Sequence, residues 1–240
     1  MEMDAFVEKF ISSYLRPDLA TKPRELQVTD MSLRFLEFEA RLCTPSRSNS
    51  TNTTISQAQY DRMIKAAMSL AKSSCITTTI LERYGHFNAN ITATRPDNGF
   101  GVDFRHKRKL GTLDIAMKGS PFDLRLAASL ELPVKDKPTQ RDVTERFTKE
   151  RTALFMSNTL RLDFTKLVPF GTNTVGGGGA EAAVHQVEIE VIDVDSAMRS
   201  GVSPLVIWGE IKELVSFLSE SCDMSSQRTI TYSLIKQRIY

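Results

Sequence analysis

The chain has 240 residues, 41% of them hydrophobic and 25% charged, the composition of an ordinary soluble globular protein. Its 31 Lys and Arg residues nearly balance 29 Asp and Glu residues, so net charge alone does not predict nucleic-acid binding. No stretch approaches the roughly 18 apolar residues of a membrane span, and the acidic start MEMDAFVEKF is unlike a signal peptide. With three cysteines that lack metal-type spacing, these features predict an intracellular protein in a reducing compartment.

Helical spacing of apolar residues predicts three amphipathic helices around a strand-rich region. They cover residues 4–16, 55–74 and 203–221. Ser56 is the expected N-cap of the second helix, because its hydroxyl can accept a backbone N–H of the first turn. The buried stripe of that helix is predicted to consist of Ile64, Ala67, Met68 and Ala71.

Strand-like segments fill most of residues 75–195, and residues 228–238 are a predicted final strand. The stretch GTNTVGGGGAEAA at 171–183 is rich in glycine and predicts a flexible connection. No internal repeat is visible. We therefore expect residues 1–240 to form a single domain.

Charged residues are segregated by strand. In RFLEFEARL (34–42), Glu37 and Glu39 share one face and the apolar residues share the other, because successive strand side chains point to opposite sides. Other strands carry a comparable acidic or basic face, which indicates polar faces that look at one another across a closed space. The predicted fold is mainly β with flanking helices: a closed antiparallel eight-stranded barrel with a hydrophilic lumen, covered by the helices. The alternative is an antiparallel sheet whose polar face is simply solvated.

A lumen of this kind favours metal and phosphate chemistry. Carboxylates gathered without His or Cys make a hard oxygen site suited to Mg²⁺ or Mn²⁺, with Glu37, Glu39 and Glu190 as the candidate ligands. Basic side chains can bind polyphosphate oxygens through charge-assisted hydrogen bonds. The candidates are Arg95, Arg105, Lys107, Arg125, Lys149 and Arg151.

Other phosphate-handling sites are excluded by their missing motifs. There is no GxxxxGK[ST] loop, and the glycine-rich stretch lacks the lysine of a P-loop. A Cys-x5-Arg pocket is also absent, which argues against a cysteine phosphatase. His86, His106 and His185 are expected to be surface or packing residues.

The sequence resembles the metal-dependent RNA 5′-triphosphatases, the fungal, protozoan and viral members of the triphosphate tunnel metalloenzymes. FLEFEARL and HQVEIEVID are similar to the first and last glutamate strands of that family. SPFDLRLAASLELPV resembles its D-x-R-x-S-x-x-x-E-x-P strand, with Ala127 at the usual serine, KERTAL its K-x-R strand and LDFTKL its D-x-T strand. The resemblance covers roughly residues 30–195, with the motifs in the family's order.

The resemblance implies a role for each matching residue. Glu37, Glu39 and Glu190 would bind the metal directly, and Glu188 would act through water. The basic residues Lys107, Lys149 and Arg151 would hold the γ-phosphate and stabilise the transition state, and Arg95 loosely matches another basic position. The remaining matches are Glu131, which would orient basic residues or the attacking water, and the supporting pair Asp163 and Thr165.

Two positions depart from the family pattern. Phe147 stands where the family has a basic residue two before the lysine of the K-x-R strand, with Arg146 adjacent. Gln186 replaces the first of three glutamates in the last strand, which removes one charge near the metal.

Three functions stay open from the sequence. The resemblance implies removal of the γ-phosphate from triphosphate-ended RNA, the first step of mRNA cap formation, together with NTP hydrolysis in the presence of Mn²⁺. The second is a tunnel enzyme for inorganic or thiamine triphosphate, and the third a non-catalytic β-sheet binding module. For the first we expect the 5′-triphosphate end of nascent RNA as substrate, an RNA guanylyltransferase as functional partner, no membrane, a nuclear location and a monomer.

Overall fold

The structure, a computed structural model, describes most of the chain. The described residues are 2–15, 35–45, 55–86, 89–96, 101–134, 142–170, 183–222 and 229–239. Of the glycine-rich connection predicted at 171–183, only Ala183 lies among them.

Within these residues, nine antiparallel strands form one sheet, and eight of them close into a barrel. The order around the barrel is β3-β2-β6-β7-β8-β1-β5-β4, and pairing of β3 with β4 completes the ring. The predicted closed eight-stranded barrel is therefore confirmed. The strands are β1 (Leu36–Cys43), β2 (Ser73–His86), β3 (Ala89–Pro96), β4 (Asp103–Lys118), β5 (Asp123–Pro133), β6 (Val143–Phe155), β7 (Leu160–Pro169), β8 (Val184–Val191) and β9 (Thr231–Ile239).

The ninth strand lies outside the ring. One edge of β4 pairs with β3 over residues 103–106 and, farther along, with β9 over residues 111–118. The sequence predicted a final strand at 228–238, and the structure places it three residues later at its start. Strand β4 extends beyond the end of its pairing with β3, and β9 pairs with this extension outside the ring.

Four helices lie among the described residues: α1 (Glu2–Leu15), α2 (Gln57–Met68), α3 (Val194–Arg199) and α4 (Pro204–Cys222). The three predicted helices are confirmed as α1, α2 and α4, whereas the short α3 was not predicted. No helix among the described residues is long and apolar enough to cross a membrane.

Helix α2 begins as predicted but ends early. Ser56 caps it in a full capping box with Gln59. The helix stops at Met68 instead of residue 74, because Lys72 N–H already donates to the Phe155 carbonyl and joins the chain to the sheet. The prediction that Met68 is buried is therefore wrong, because its side chain is 53% exposed. The buried face of the helix consists of Tyr60, Met63 and Ala67.

The apolar strand faces point outward and form the core with the helices. Phe38 of β1, Leu126 of β5 and Phe164 of β7 are fully buried. Phe10 of α1 packs against Phe38, and Tyr60 of α2 packs edge-on against Phe164. Burying this outer layer leaves the alternate, polar side chains of the same strands for the lumen.

Candidate active site in the barrel lumen

The first and last strands of the barrel bring the predicted metal carboxylates together. Glu39 of β1 lies directly opposite Glu190 of β8, and Arg41 lies opposite Glu188. Directly paired residues of antiparallel strands share a face, so both pairs point into the lumen. Arg41 forms ion pairs with Glu188 and with Glu39, which separates two of the like charges.

Lys107 of β4 supplies a positive charge between the acidic strands. Its ammonium contacts Glu37 and lies 3.5 Å from Glu39 and 3.8 Å from Glu131. These acids belong to β1 and β5, the next two strands along the barrel. The sequence predictions for Lys107, Glu37, Glu39 and Glu131 thus converge on one cluster.

Protonation of the lumen acids reflects burial and mutual repulsion. Burial, helped by the charges of Glu188 and Glu37, raises the pKa of Glu39 despite Lys107 and Arg41. Burial also raises the pKa of Glu190 to about 7, against the opposing charge of Arg161. For Glu188 burial acts in the same direction, but surrounding cations, led by Arg41 and Lys107, hold the pKa below its usual value.

The donor set fits a hard divalent cation in its chemistry. Glu37, Glu39 and Glu190 offer carboxylate oxygens only, which are the ligands that a hard divalent cation prefers. In the described part of the chain, no three Asp, Glu, His or Cys side chains are already arranged around a common point. The Lys107 ammonium instead contacts carboxylate oxygens of Glu37 and Glu39. A metal ion would have to displace this ammonium or share the carboxylate oxygens with it.

The opposite wall of the lumen is basic. Lys149 and Arg151 share one face of β6, and Arg151 lies opposite Thr165 of β7. Burial and the neighbouring Arg151 lower the pKa of Lys149, and among the described residues no carboxylate lies within ion-pair distance of its ammonium. Arg151 pairs with Asp163 at 3.4 Å, yet its Nε and the Thr165 hydroxyl are buried without a hydrogen-bond partner in the part described.

Arg161 also belongs to this cluster, although it was not among the predicted site residues. Its guanidinium binds both oxygens of Asp163, at 2.8 and 2.9 Å, and also reaches Glu190. The sequence did contain a signal for this residue, because Arg161 and Asp163 are two residues apart on one strand and therefore share a face. Asp163 is thus held between Arg161 and Arg151.

One end of the lumen opens into a cavity of about 300 Å³. Its walls include the predicted site residues Glu37, Glu131, Glu190 and Arg105. Arg105 lies near the start of β4 and pairs with Asp103 at 2.8 Å. The cavity gives a ligand access to the carboxylate cluster from this end.

Arg95 is not brought into the lumen. Pairing in the β3–β2–β6 region puts Arg95 on the face of Glu82 and Arg146, opposite to that of Lys149. There Arg95 and Arg146 bind Glu82, a carboxylate that is only 1% exposed and also accepts the Tyr84 hydroxyl. The prediction that Arg95 binds phosphate finds no support in this placement.

Arg125 lies on the lumen face but farther along the barrel. It pairs with the buried Asp114, with a shortest contact of 2.6 Å, opposite Arg41 of β1. The two departures from the family pattern also face the lumen: Gln186 is opposite Thr165, and Phe147 precedes Lys149 by two residues on the same face.

Comparisons with known proteins agree with this architecture. Residues 96–201 match the family model described as mRNA capping enzyme, beta chain. The mRNA-capping enzyme subunit beta of Cryptococcus neoformans is 26% identical over 132 residues, which are 55% of this chain and 32% of that protein. The chain thus spans about a third of the length of the curated relative it matches.

Solved structures match over nearly the whole chain. The S. pombe Pct1 RNA triphosphatase superposes with a TM-score of 0.71 at 14% identity, covering 92% of this chain and 93% of that one. The RNA triphosphatase domain of the mimivirus mRNA capping enzyme gives a TM-score of 0.54 at 12% identity, covering 88% and 96%. The resemblance predicted from the sequence is therefore confirmed: residues 96–201 match the model of the mRNA capping enzyme beta-chain family, and the chain shares the fold of these two RNA triphosphatase structures.

Proposed function

We propose that this chain hydrolyses the γ-phosphate of triphosphate-ended RNA and leaves a diphosphate end, the first reaction of cap formation. Water attacks the γ-phosphorus, the bond to the bridging oxygen breaks, inorganic phosphate leaves, and the RNA keeps two phosphates. The family match and the fold support this reaction over a non-catalytic sheet.

The observation that carries the proposal is the Lys149 ammonium in the basic wall, which forms no ion pair with a described carboxylate. Lys149 is half-buried beside Arg151 with no carboxylate in ion-pair contact among the described residues, and removing a charge from water is costly unless the charge is paired. A triphosphate would offset both charges. Arg151 is suited to two phosphate oxygens at once, because its guanidinium is planar and its Nε still lacks an acceptor.

The other lumen residues position these two. Asp163 holds Arg151 at 3.4 Å, and Glu131 lies 3.8 Å from Lys107, on the same face of adjacent strands. Lys107 and Lys149 would place positive charge on the γ-phosphate oxygens as negative charge shifts in the transition state. Glu131 would hold Lys107 or the attacking water in place.

We further propose Glu37, Glu39 and Glu190 as direct ligands of Mg²⁺ or Mn²⁺, with Glu188 acting through water. When bound, such an ion would supply a Lewis acid for the phosphate oxygens. Binding it would also offset the burial and the neighbouring carboxylate charges that together raise the pKa of Glu39. A capping role implies a nuclear location and an RNA guanylyltransferase acting on the product.

The test is release of γ-phosphate from triphosphate-ended RNA, inorganic triphosphate and ATP, each with Mg²⁺ and with Mn²⁺. We expect metal-dependent release from RNA and its loss in Lys149→Ala. Lys166→Ala is the matched control, because Lys166 lies on the outer face of β7 and pairs only loosely with Glu150 at 3.6 Å. Hydrolysis of inorganic triphosphate without hydrolysis of RNA would contradict the proposal and favour a small-molecule substrate.

A further inference from the structure

An aromatic and arginine pair lies next to the basic wall. Phe147 precedes Lys149 by two residues on β6, so both side chains share the lumen face, roughly 7 Å apart along the strand. The Arg83 guanidinium of β2 lies 5.1 Å from the centre of the Phe147 ring. Phe147 is thus the next lumen-facing residue of β6 before Lys149 and Arg151, which would hold the γ-phosphate.

The side chains of Phe147 and Arg83 are partly accessible to solvent. Phe147 is half-buried, and Arg83 is 45% exposed while it pairs with the equally exposed Glu145 at 2.7 Å. An exposed ion pair of this kind contributes little to stability, so Arg83 can leave Glu145 for a ligand at small cost. The neighbours of Phe147 across the strands, Leu81 and Pro169, are also non-polar.

An apolar ring under a guanidinium is poorly suited to inorganic phosphate but well suited to a nucleobase. Bases stack on aromatic rings and on arginine planes, and such stacking tolerates every base. A triphosphate held at Lys149 and Arg151 would leave the attached nucleoside to extend away from them along the lumen. The position two residues before Lys149 is where the chain offers an aromatic ring instead of another charge.

We propose that Phe147 and Arg83 form a stacking platform for the 5′-terminal nucleobase of the RNA. The inference rests on the proposed function and adds how the tunnel distinguishes RNA from inorganic triphosphate. The platform binds the nucleoside and takes no part in breaking the phosphoanhydride bond.

The experiment compares KM and kcat of Phe147→Leu on triphosphate-ended RNA and on inorganic triphosphate. We expect KM for RNA to rise about tenfold, with the constants for inorganic triphosphate changed less than about twofold. Arg83→Gln should show the same selective effect at smaller size. The matched control is Phe170→Leu, because Phe170 lies at the same end of the β6–β7 pair but contacts Arg146 on the outer face.

A second measurement reports stacking directly. RNA carrying 2-aminopurine as its 5′-terminal base should lose fluorescence on binding to the wild type without added divalent cation, and lose much less with Phe147→Leu. Equal losses of activity on both substrates, or no change on RNA, would overturn the platform. If the wild type cleaves inorganic triphosphate and never RNA, the proposed function fails, and the RNA occupant fails with it.

Discussion

The buried carboxylate of Glu82 provides the sharpest test of which barrel face each basic residue occupies. Glu82→Gln keeps the size of the side chain but removes the charge that Arg95 and Arg146 share. Glu82 accepts hydrogen bonds from Tyr84 at 2.7 Å, from two Arg95 nitrogens at 3.1 Å and from Arg146 at 2.9 Å. All of these contacts lie on the face opposite to Lys149.

Removing one partner of a buried pair costs about 3–5 kcal/mol. The two arginine side chains are 37% and 31% exposed, so water can solvate them again in part, and we expect a loss of about 2–4 kcal/mol. For a chain of this size that corresponds to a fall in Tm of roughly 5–15 °C. The matched control Glu150→Gln, which breaks a 3.6 Å pair on the same face of β6, should change stability by about 0–1 kcal/mol.

The assay is thermal unfolding followed by circular dichroism, with turnover measured below the transition. Burial would raise the pKa of Glu82, but hydrogen bonds from Tyr84, Arg95 and Arg146 more than offset it and lower that pKa. The stabilisation is therefore present above the unfolded pKa near 4.3 and is lost as the pH falls through the lower folded value. Arg95→Gln should also lower Tm while leaving KM unchanged. A Glu82→Gln variant with unchanged Tm, or an Arg95→Gln variant with a raised KM, would refute the reasoning.

Four further predictions concern the lumen and the shell around it. Glu39→Gln should reduce metal-dependent phosphate release below a tenth of the wild-type rate while the fold persists; retention of more would argue against metal ligation by Glu39. Arg151→Lys should lower kcat about tenfold or more, because one ammonium cannot hold two phosphate oxygens, and near-normal kcat would place Arg151 outside the site. Leu130→Ala should cost about 2–5 kcal/mol in denaturant unfolding with turnover per folded molecule unchanged, and a smaller loss would mean that the outer face is not packed. Burial lowers the pKa of His185, so the unfolded chain binds the proton first and stability falls as the pH drops below about 6.5; His185→Gln should flatten that fall, and an unchanged slope would contradict it.

The barrel itself could be predicted because strand alternation states which side chains share a face. Glu37 and Glu39 alternate with buried residues of β1, and the structure keeps them on the lumen side. The face of Arg95 could not be predicted in the same way, since it depends on which residue of β2 lies opposite, a long-range register absent from the local pattern. The prediction for Met68 was wrong for a related reason. The helical pattern of apolar residues continues in the sequence beyond the point where Lys72 bonds to the sheet.

The acidic cluster was predictable as chemistry, whereas its arrangement was not. Two E-x-E motifs favour a cation, but the position of the Lys107 ammonium against Glu37 and Glu39 depends on β4, β5 and β1 being adjacent. The contact of Arg161 with Glu190 could not be predicted from the local pattern, because Glu190 belongs to the next strand. Alternation in the sequence thus predicts which strand face each charged residue occupies. Which charged residues contact one another depends on the order of the strands in the barrel.

The shortest pairing in the described barrel, three residue pairs between β1 and β8, is also the one that sets Glu39 against Glu190. These are the first and last strands of the ring in chain order, so joining Glu39 to Glu190 closes a loop of about 150 residues, whose entropic cost must be met before the pairing is gained. The like charges of Glu39 and Glu190 weaken this junction, whereas Arg41 opposite Glu188 stabilises it. Folding should therefore complete this junction late, and the carboxylates that would serve the reaction lie where the ring closes.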